Sequence, residues 1–480
     1  MNKFYHSVRL DEDKCKGCIN CIKRCPTEAI RVRNGKASIN SKFCIDCGEC
    51  IRICENHAKN AFVDTLREID RFEYTIALPA PTLYSQFNNL EDKNIVLNGL
   101  LKMGFDEVFE VSAAAELVSE GTRIFLSEHR DGMPWISTAC PTVVRLIRVR
   151  FPNLIEHLLP IKPPVEIAAK LAAERAMKKT GLPREKIGTV FISPCPSKNT
   201  YVKSPLGTEK SEVDLCVAIK EVYPKLLSTM KAVAASDYAD ISMAGKIGLS
   251  WGFSGGEAGG ALCDNYLAAD GIENVIKVLE DLEDQKIEKL EFVELDACSG
   301  GCVGGVLTVE NPYVSVARLH NMRKYLPVQL SRFNNMEETE EREKQTELLK
   351  FDKGISYEPV FNLGDSVIEG FFRLNQAERL EKKFPGLDCG SCGAPTCKAL
   401  AMDIVRGEGT EDQCIYLMRK HIAEMASELQ SAAREAKKSS AANPWSNYEY
   451  VDMYIDKIAT DLSKMAETNG VGYKGINNEG

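Results

Sequence analysis

Between residues 72 and 327 short runs of β-branched and aromatic residues alternate with longer stretches whose apolar positions recur at helical spacing. That alternation is the pattern of α/β construction, and it predicts the largest folded body of the chain. Strands are predicted at residues 74–78, 107–111, 135–137, 189–192 and 292–295, with a helix over residues 165–178 between two of them. Near the C-terminus Met418, Ile422, Met425, Leu429, Ala432 and Ala436 keep a four-three spacing that gives one helix a single apolar seam. Val451, Ile455, Ile458, Leu462 and Met465 repeat the spacing, and the intervening SSAANPWSN breaks the helix. Two helices packed on each other fit this pattern, as does pairing with a second copy or with another subunit. The charged run from Glu337 to Lys344 reads as a solvated linker or an exposed helix.

At 480 residues the chain exceeds one ordinary core and is expected to divide into several domains. A net charge of −9 gives no general attraction to nucleic acid or to an anionic membrane, so neither is expected as a partner. No run of eighteen apolar residues occurs, and the opening MNKFYHSVRLDEDK has no apolar signal segment, so a cytoplasmic location is expected.

The eighteen cysteines change this ordinary picture. They are bunched two or three residues apart in a long chain, which metal ligation explains better than a disulfide scaffold. The first 60 residues hold one pattern twice: Cys15, Cys18, Cys21 and Cys25 before Pro26, then Cys44, Cys47, Cys50 and Cys54 before Glu55. In such a repeat three thiolates of each run hold one [4Fe-4S] cluster and the fourth reaches the other. Cys15, Cys18, Cys21 and Cys54 are therefore expected to hold one cluster, and Cys44, Cys47, Cys50 and Cys25 the second. A pair of zinc knuckles is the competing assignment, but zinc does not need eight cysteines in this phase, and no histidine stands at a zinc-finger interval.

A third set, Cys389, Cys392, Cys397 and Cys414, is spaced x2, x4, x16 and announces another metal site. Four more cysteines look scattered: Cys140 in STACPT, Cys195 in SPCPSK, and Cys298 and Cys302 in ELDACSGGCVGG. The segments share one design, a short apolar strand followed within a few residues by the cysteine, which gathers thiols beyond the carboxyl ends of strands, where open α/β sheets bind ligands. The glycines at 300, 301, 304 and 305 let backbone approach a bulky group. A buried cubane cage fits these observations; four inert buried cysteines remain a rival reading. Cys216 and Cys263 have no cysteine or histidine neighbour in sequence and read as small hydrophobes.

The three segments resemble, in order and separation, the signature motifs of [FeFe]-hydrogenases, and GFDEVFEVSAAAEL, FPNLIEHLLP and WGFSGGEAGGAL extend the resemblance over residues 1–310. It implies a multidomain α/β chain: a two-cluster ferredoxin-like domain at 1–68, an H-cluster domain with parallel sheets at 69–330, a charged linker at 331–365, a small [4Fe-4S] module at 366–416 and a helical tail at 417–480. The implied cofactors are three [4Fe-4S] clusters and an H-cluster, a cubane bridged to a di-iron subcluster carrying CO, cyanide and azadithiolate. Cys140, Cys195, Cys298 and Cys302 would be the cubane ligands with Cys302 the bridge, and Lys198 the partner of a cyanide. H2 and protons would be the substrates. A ferredoxin, another redox subunit or a signalling protein would be the electron partner.

The chain departs from the family where protons pass. The position of the usual relay cysteine is Ala139, and Ser193, Tyr201, Asp296 and Val143 replace other residues of the motifs. Losing the first member of a proton chain slows turnover. The pattern resembles the sensory hydrogenases, without the PAS domain some of them carry. Asp296 or Tyr201 could serve a rerouted proton path in a working hydrogenase subunit. A third alternative is an iron–sulfur scaffold lacking the di-iron group.

Overall fold

The computed structural model describes residues 6–129, 133–233, 238–332, 346–360, 363–364 and 366–440. Its internal contacts divide the chain into two compact units. The first gathers residues 1–9, 41–52 and 59–360, the second residues 10–40, 53–58 and 361–480.

Unit one is built on two parallel sheets. The larger orders its strands Glu107–Val108, Tyr74–Pro79, Ile187–Ser193, Leu215–Ala218, and the smaller Tyr266–Asp270, Phe292–Asp296, Trp135–Ile136. Every residue of Ile187–Ser193 is buried, which is why that strand reads as a continuous apolar run. The helix Pro164–Thr180 lays Ala168, Ala169, Ala172 and Ala176 into the core formed with Ile76, Leu78 and Phe191. It stops at Gly181, whose φ of +72° makes the left-handed cap that a side chain disfavours.

The five predicted strands are all present with shifted ends. The one expected over 107–111 stops at Val108, because Val111 already opens the helix Val111–Glu128. The run SAAAEL favours helix over strand there. In these two sheets Leu215–Ala218 and Tyr266–Asp270 were not predicted: the first is four residues long, and the second carries alanines and an exposed tyrosine rather than β-branched residues.

In unit two Ile30–Arg33 pairs antiparallel with Lys36–Ile39. Asn34 and Gly35, at φ of +50° and +70°, supply the turn that matches strand twist. The helices Val367–Glu381, Cys397–Val405 and Ile415–Ser440 follow. Ala377, Leu380, Phe384, Ala394, Leu400 and Cys414 form their small core. Thr396 caps the second helix, its Oγ1 accepting from Ala399 N at 2.9 Å. The predicted first seam lies on Ile415–Ser440, where Met418, Ile422 and Leu429 are half-buried and Met425 is exposed. The charged run 337–344 and the second seam fall outside the described residues. Among the described residues no helix is long and apolar enough to cross a membrane.

Candidate metal centre

The C-P dipeptides of the first two central motifs each become a helix start. Cys140 ends the segment after Trp135–Ile136 and precedes the helix Pro141–Arg150; Cys195 follows Ile187–Ser193 and precedes Pro196–Lys203. Proline suits the first helical position because its missing N–H would be unpaired there anyway. Both thiols thus stand at helix N-termini, where the backbone dipoles favour a thiolate. Cys298 lies two residues beyond Phe292–Asp296, and Cys302 opens a single helical turn.

Glycine closes these loops on one another. A Cβ on Gly305 would lie 2.2 Å from Pro194 O, and one on Gly304 2.1 Å from Ser299 O. Gly301, at φ +86°, presses on the backbone of Phe253 and Ser254. The third motif can therefore approach the second, and Leu307 N donates to Pro194 O at 3.0 Å.

The four thiols feel one another as like charges. Burial pushes all four up; Cys140, Cys195 and Cys302 also act on Cys298. The Lys198 ammonium pulls Cys140, Cys195 and Cys302 back. Lys198 Nζ lies 3.6 Å from Cys302 Sγ. Burial works against its charge, but Cys302, Cys195, Cys140 and Asp296 outweigh burial and hold its pKa above the ordinary lysine value.

A cavity opens beside this pair, lined among others by Ala139, Phe191, Lys198, Trp251, Asp296 and Cys302. Glu257 and Glu294 also face it. Ser137 Oγ donates to Glu257 Oε2 at 2.6 Å and accepts from Ala139 N at 3.1 Å. Glu294 accepts from Gly255 N at 2.9 Å and Ala258 N at 2.8 Å. Burial raises Glu257, Glu294 and Asp296 above the ordinary carboxylate range, and each is raised further by a neighbouring carboxylate. Three acids whose protonated forms persist to higher pH than that of an exposed carboxyl therefore line the wall that presents Ala139.

Sequence reasoning singled out Asp296 but not Glu257, Glu294 or Ser137. One signal was available: Glu294 and Asp296 stand two apart on one strand and so share a face, and a glutamate inside the run FVEL is out of place unless it has work there. Tyr201 lies elsewhere, in a separate small cavity with Pro163, Leu206 and Phe351.

Residues 44–52 also belong to unit one. Asp46, at φ +54°, accepts from Thr200 Oγ1 at 2.7 Å, from Val8 N at 2.9 Å and from Ser7 N at 3.1 Å. Thr200 sits on the helix that begins after Cys195, so this carboxylate ties the loop bearing Cys44, Cys47 and Cys50 to the second central motif. Arg52 Nη2 reaches the third, donating to Gly304 O at 2.6 Å. Ile45 and Cys47 pack in the same apolar cluster as Cys140.

In unit two, backbone N–H groups point at the expected ligands: Ala37 N at Cys15 Sγ (3.4 Å), Ala29 N at Cys25 Sγ (3.2 Å) and Ala58 N at Cys54 Sγ (3.3 Å). Gly17, at φ +69°, turns the loop between Cys15 and Cys18. Cys21 is buried and Cys18 exposed. Cys389, Cys392, Cys397 and Cys414 line one cavity, so the third set converges. Cys216 is buried in the core, and Cys263 is half-buried against the same apolar cluster.

A family model described as the C-terminal domain of the iron-only hydrogenase large subunit matches residues 73–262 and 254–306. A 4Fe-4S dicluster domain matches residues 7–55, and a putative Fe-S cluster domain residues 384–416. The chain belongs to the [FeFe]-hydrogenase-like family, extended by an iron–sulfur module. Its [FeFe]-hydrogenase-like relatives include the NADP-reducing hydrogenase subunit HndD of Solidesulfovibrio fructosivorans, 24% identical over 264 residues, which are 47% of this chain and 44% of that protein. Iron hydrogenase 1 of Clostridium pasteurianum is 23% identical over 370 residues, 62% of this chain and 64% of its own length. The chain thus spans less than two thirds of either relative. Among solved structures, [FeFe]-hydrogenase HydA1 from Chlamydomonas reinhardtii aligns at 16% identity with a TM-score of 0.46, covering 61% of this chain and 99% of that one.

Proposed function

We propose that this protein holds an H-cluster on Cys140, Cys195, Cys298 and Cys302 and acts on H2 at low turnover, as a sensor of hydrogen or of redox state. One observation carries the reading: the cavity wall that presents Lys198 and Cys302 presents Ala139, so the charge partner for an anionic cofactor is kept while the nearest proton carrier is a methyl group.

The donor set fits the group. Four thiols arrive from three loops, the glycines at 301, 304 and 305 leave no side chain between those loops, and an ammonium faces the cavity beside the bridging position. A bare cubane needs no such ammonium. When bound, the di-iron subcluster would supply the metal chemistry of reversible H2 oxidation to two protons and two electrons. The chain's residues do the rest. Lys198 offsets anionic charge and donates toward the cavity. Ser137 holds Glu257 in place, and Glu257, Glu294 and Asp296 present carboxyl groups at its edge.

These acids favour a second reading, a working hydrogenase subunit with a rerouted proton supply. The accessory cysteine sets, Cys15, Cys18, Cys21 and Cys54 with Cys25, Cys44, Cys47 and Cys50 in the N-terminal pattern and Cys389, Cys392, Cys397 and Cys414 in the module, would hold [4Fe-4S] clusters that pass electrons to a ferredoxin, a further subunit or a signalling protein.

The deciding experiment is infrared spectroscopy of the whole chain after loading with a synthetic di-iron cofactor. CO and cyanide bands are expected; their absence leaves an iron–sulfur scaffold. If bands appear, Ala139→Cys separates the remaining readings: a several-fold rise in H2 production supports the throttled sensor, and no rise supports the rerouted path.

A further inference from the structure

Unit two joins two cysteine sets that are more than 300 residues apart in sequence. Val32 N, on the hairpin strand after the first cysteine run, donates to Gly393 O at 2.9 Å. Arg33 Nη1 donates to Cys392 O at 2.7 Å, and Lys23 Nζ to Pro395 O at 2.8 Å. A Cβ on Gly390, between Cys389 and Cys392, would lie 3.1 Å from Lys23 Cε, 3.4 Å from Ile22 Cδ1 and 3.6 Å from Ile19 Cδ1, all residues between Cys18 and Cys25. The ligand-bearing loops themselves are in contact.

Beneath that contact lies a built anchor. Asp403, on the helix that starts at Cys397, keeps only 2% of its side chain exposed. It accepts from Arg31 Nε at 2.6 Å, Arg31 Nη2 at 2.8 Å and Arg33 Nη2 at 2.9 Å. A carboxylate withdrawn from water is tolerated only when paired and hydrogen-bonded, and this one is satisfied wholly by guanidinium groups from the opposite element. Gly393 adds a steric condition: its Cβ would fall 1.7 Å from Val32 O, so any side chain there would push the loops apart.

We propose that the module at residues 384–416 exchanges electrons directly with the site of Cys15, Cys18, Cys21 and Cys54, and that Arg31, Asp403 and Arg33 are positioning residues for that exchange. The inference rests on reading both sets as [4Fe-4S] sites. One electron crosses: the donor site is oxidised by one and the acceptor reduced by one, and neither proton nor ligand moves. Tunnelling falls steeply with separation, so touching ligand loops favour this pair. Arg33, beside Cys392, also stabilises the more negative reduced state of the module's site and so raises its potential.

The test is low-temperature electron paramagnetic resonance of the chemically reduced full chain, with iron analysis of each sample. Wild type is expected to show signals broadened by magnetic interaction. Cys389→Ala combined with Cys397→Ala should narrow the signal of the N-terminal site. Arg31→Ala with Arg33→Ala should at least halve the broadening at unchanged iron content and lower the module's midpoint potential. Signals unchanged by the double cysteine variant, in a wild type whose iron content includes the module's cluster, would overturn the inference. A wild type lacking that iron would instead remove the cofactor reading, and the inference with it.

Discussion

Lys198 Nζ and Cys302 Sγ approach to 3.6 Å at the wall of the central cavity, an ammonium beside the thiol expected to bridge the two halves of an H-cluster. The contact gives the lysine a task that surface lysines lack. Replacing it by methionine keeps the length and removes the charge. A charge-assisted hydrogen bond contributes about 1.5–3 kcal/mol, so Lys198→Met should retain the loaded di-iron cofactor roughly ten- to a hundredfold less well. Carbon monoxide band intensity per iron after desalting measures this, while the visible iron–sulfur absorbance should stay within error of wild type. Equal band retention would detach Lys198 from the cofactor.

Gly305 offers a steric probe of the same site. Its φ of −61° suits any residue, so alanine there adds only a Cβ, 2.2 Å from Pro194 O. Overpacking of this kind costs about 1–3 kcal/mol and must be relieved by separating the third motif from the second. Gly305→Ala is expected to lower iron content by the share of one cubane and to reduce the melting temperature. Full iron content would mean that the motifs adapt without loss.

Much of this arrangement was readable before any fold was known, for identifiable reasons. Cluster ligands recur at fixed short spacings because a tight loop must turn several thiols onto one face, so twelve of the cysteines declared themselves by arithmetic. The central four come from three segments far apart in the chain; their places just after strands suggested that they gather, with inert buried cysteines as a rival, and only resemblance suggested an H-cluster. Glu257 escaped because its partners, Ser137 and the acids of Phe292–Asp296, are distant in sequence. The Asp403 clamp escaped for the same reason, since nothing in a linear pattern pairs Arg31 with a residue 372 positions away.

Glu166 tests the reading of buried acids away from the metal site. It accepts from Glu212 N at 2.8 Å and from Ser211 Oγ, yet burial outweighs these bonds and lifts its pKa to about 7. A carboxyl raised on folding holds its proton more tightly in the native state than in the unfolded chain. Its contribution is complete below the ordinary value of 4.5 and is lost as pH rises through about 7. The loss amounts to about 3 kcal/mol at most. Wild type should therefore melt at a higher temperature at pH 5 than at pH 7.5, and Glu166→Gln should shrink that difference. An unchanged difference would show that the carboxyl is not the titrating group.

The strongest discrimination between a throttled and a rerouted proton supply comes from combining Glu257 with Ala139. Burial and the neighbouring Asp296 carboxylate raise Glu257, while Ser137 and Lys198 oppose them, so its proton-donating form persists to higher pH than that of an exposed glutamate. If Glu257 delivers protons to the cavity, H2 evolution should fall on the alkaline side as that form is lost. Glu257→Gln should cut the rate by about 10² below that limb and flatten it, since an amide holds no transferable proton. A cysteine at position 139 would stand between Ser137 and the cavity and provide a second route. In the Ala139→Cys background the Glu257→Gln penalty should consequently shrink, giving a double-mutant coupling rather than additive losses. A larger Glu257→Gln penalty in the Ala139→Cys background would place both residues in series on one path, and identical pH profiles for wild type and Glu257→Gln would remove Glu257 from proton delivery altogether.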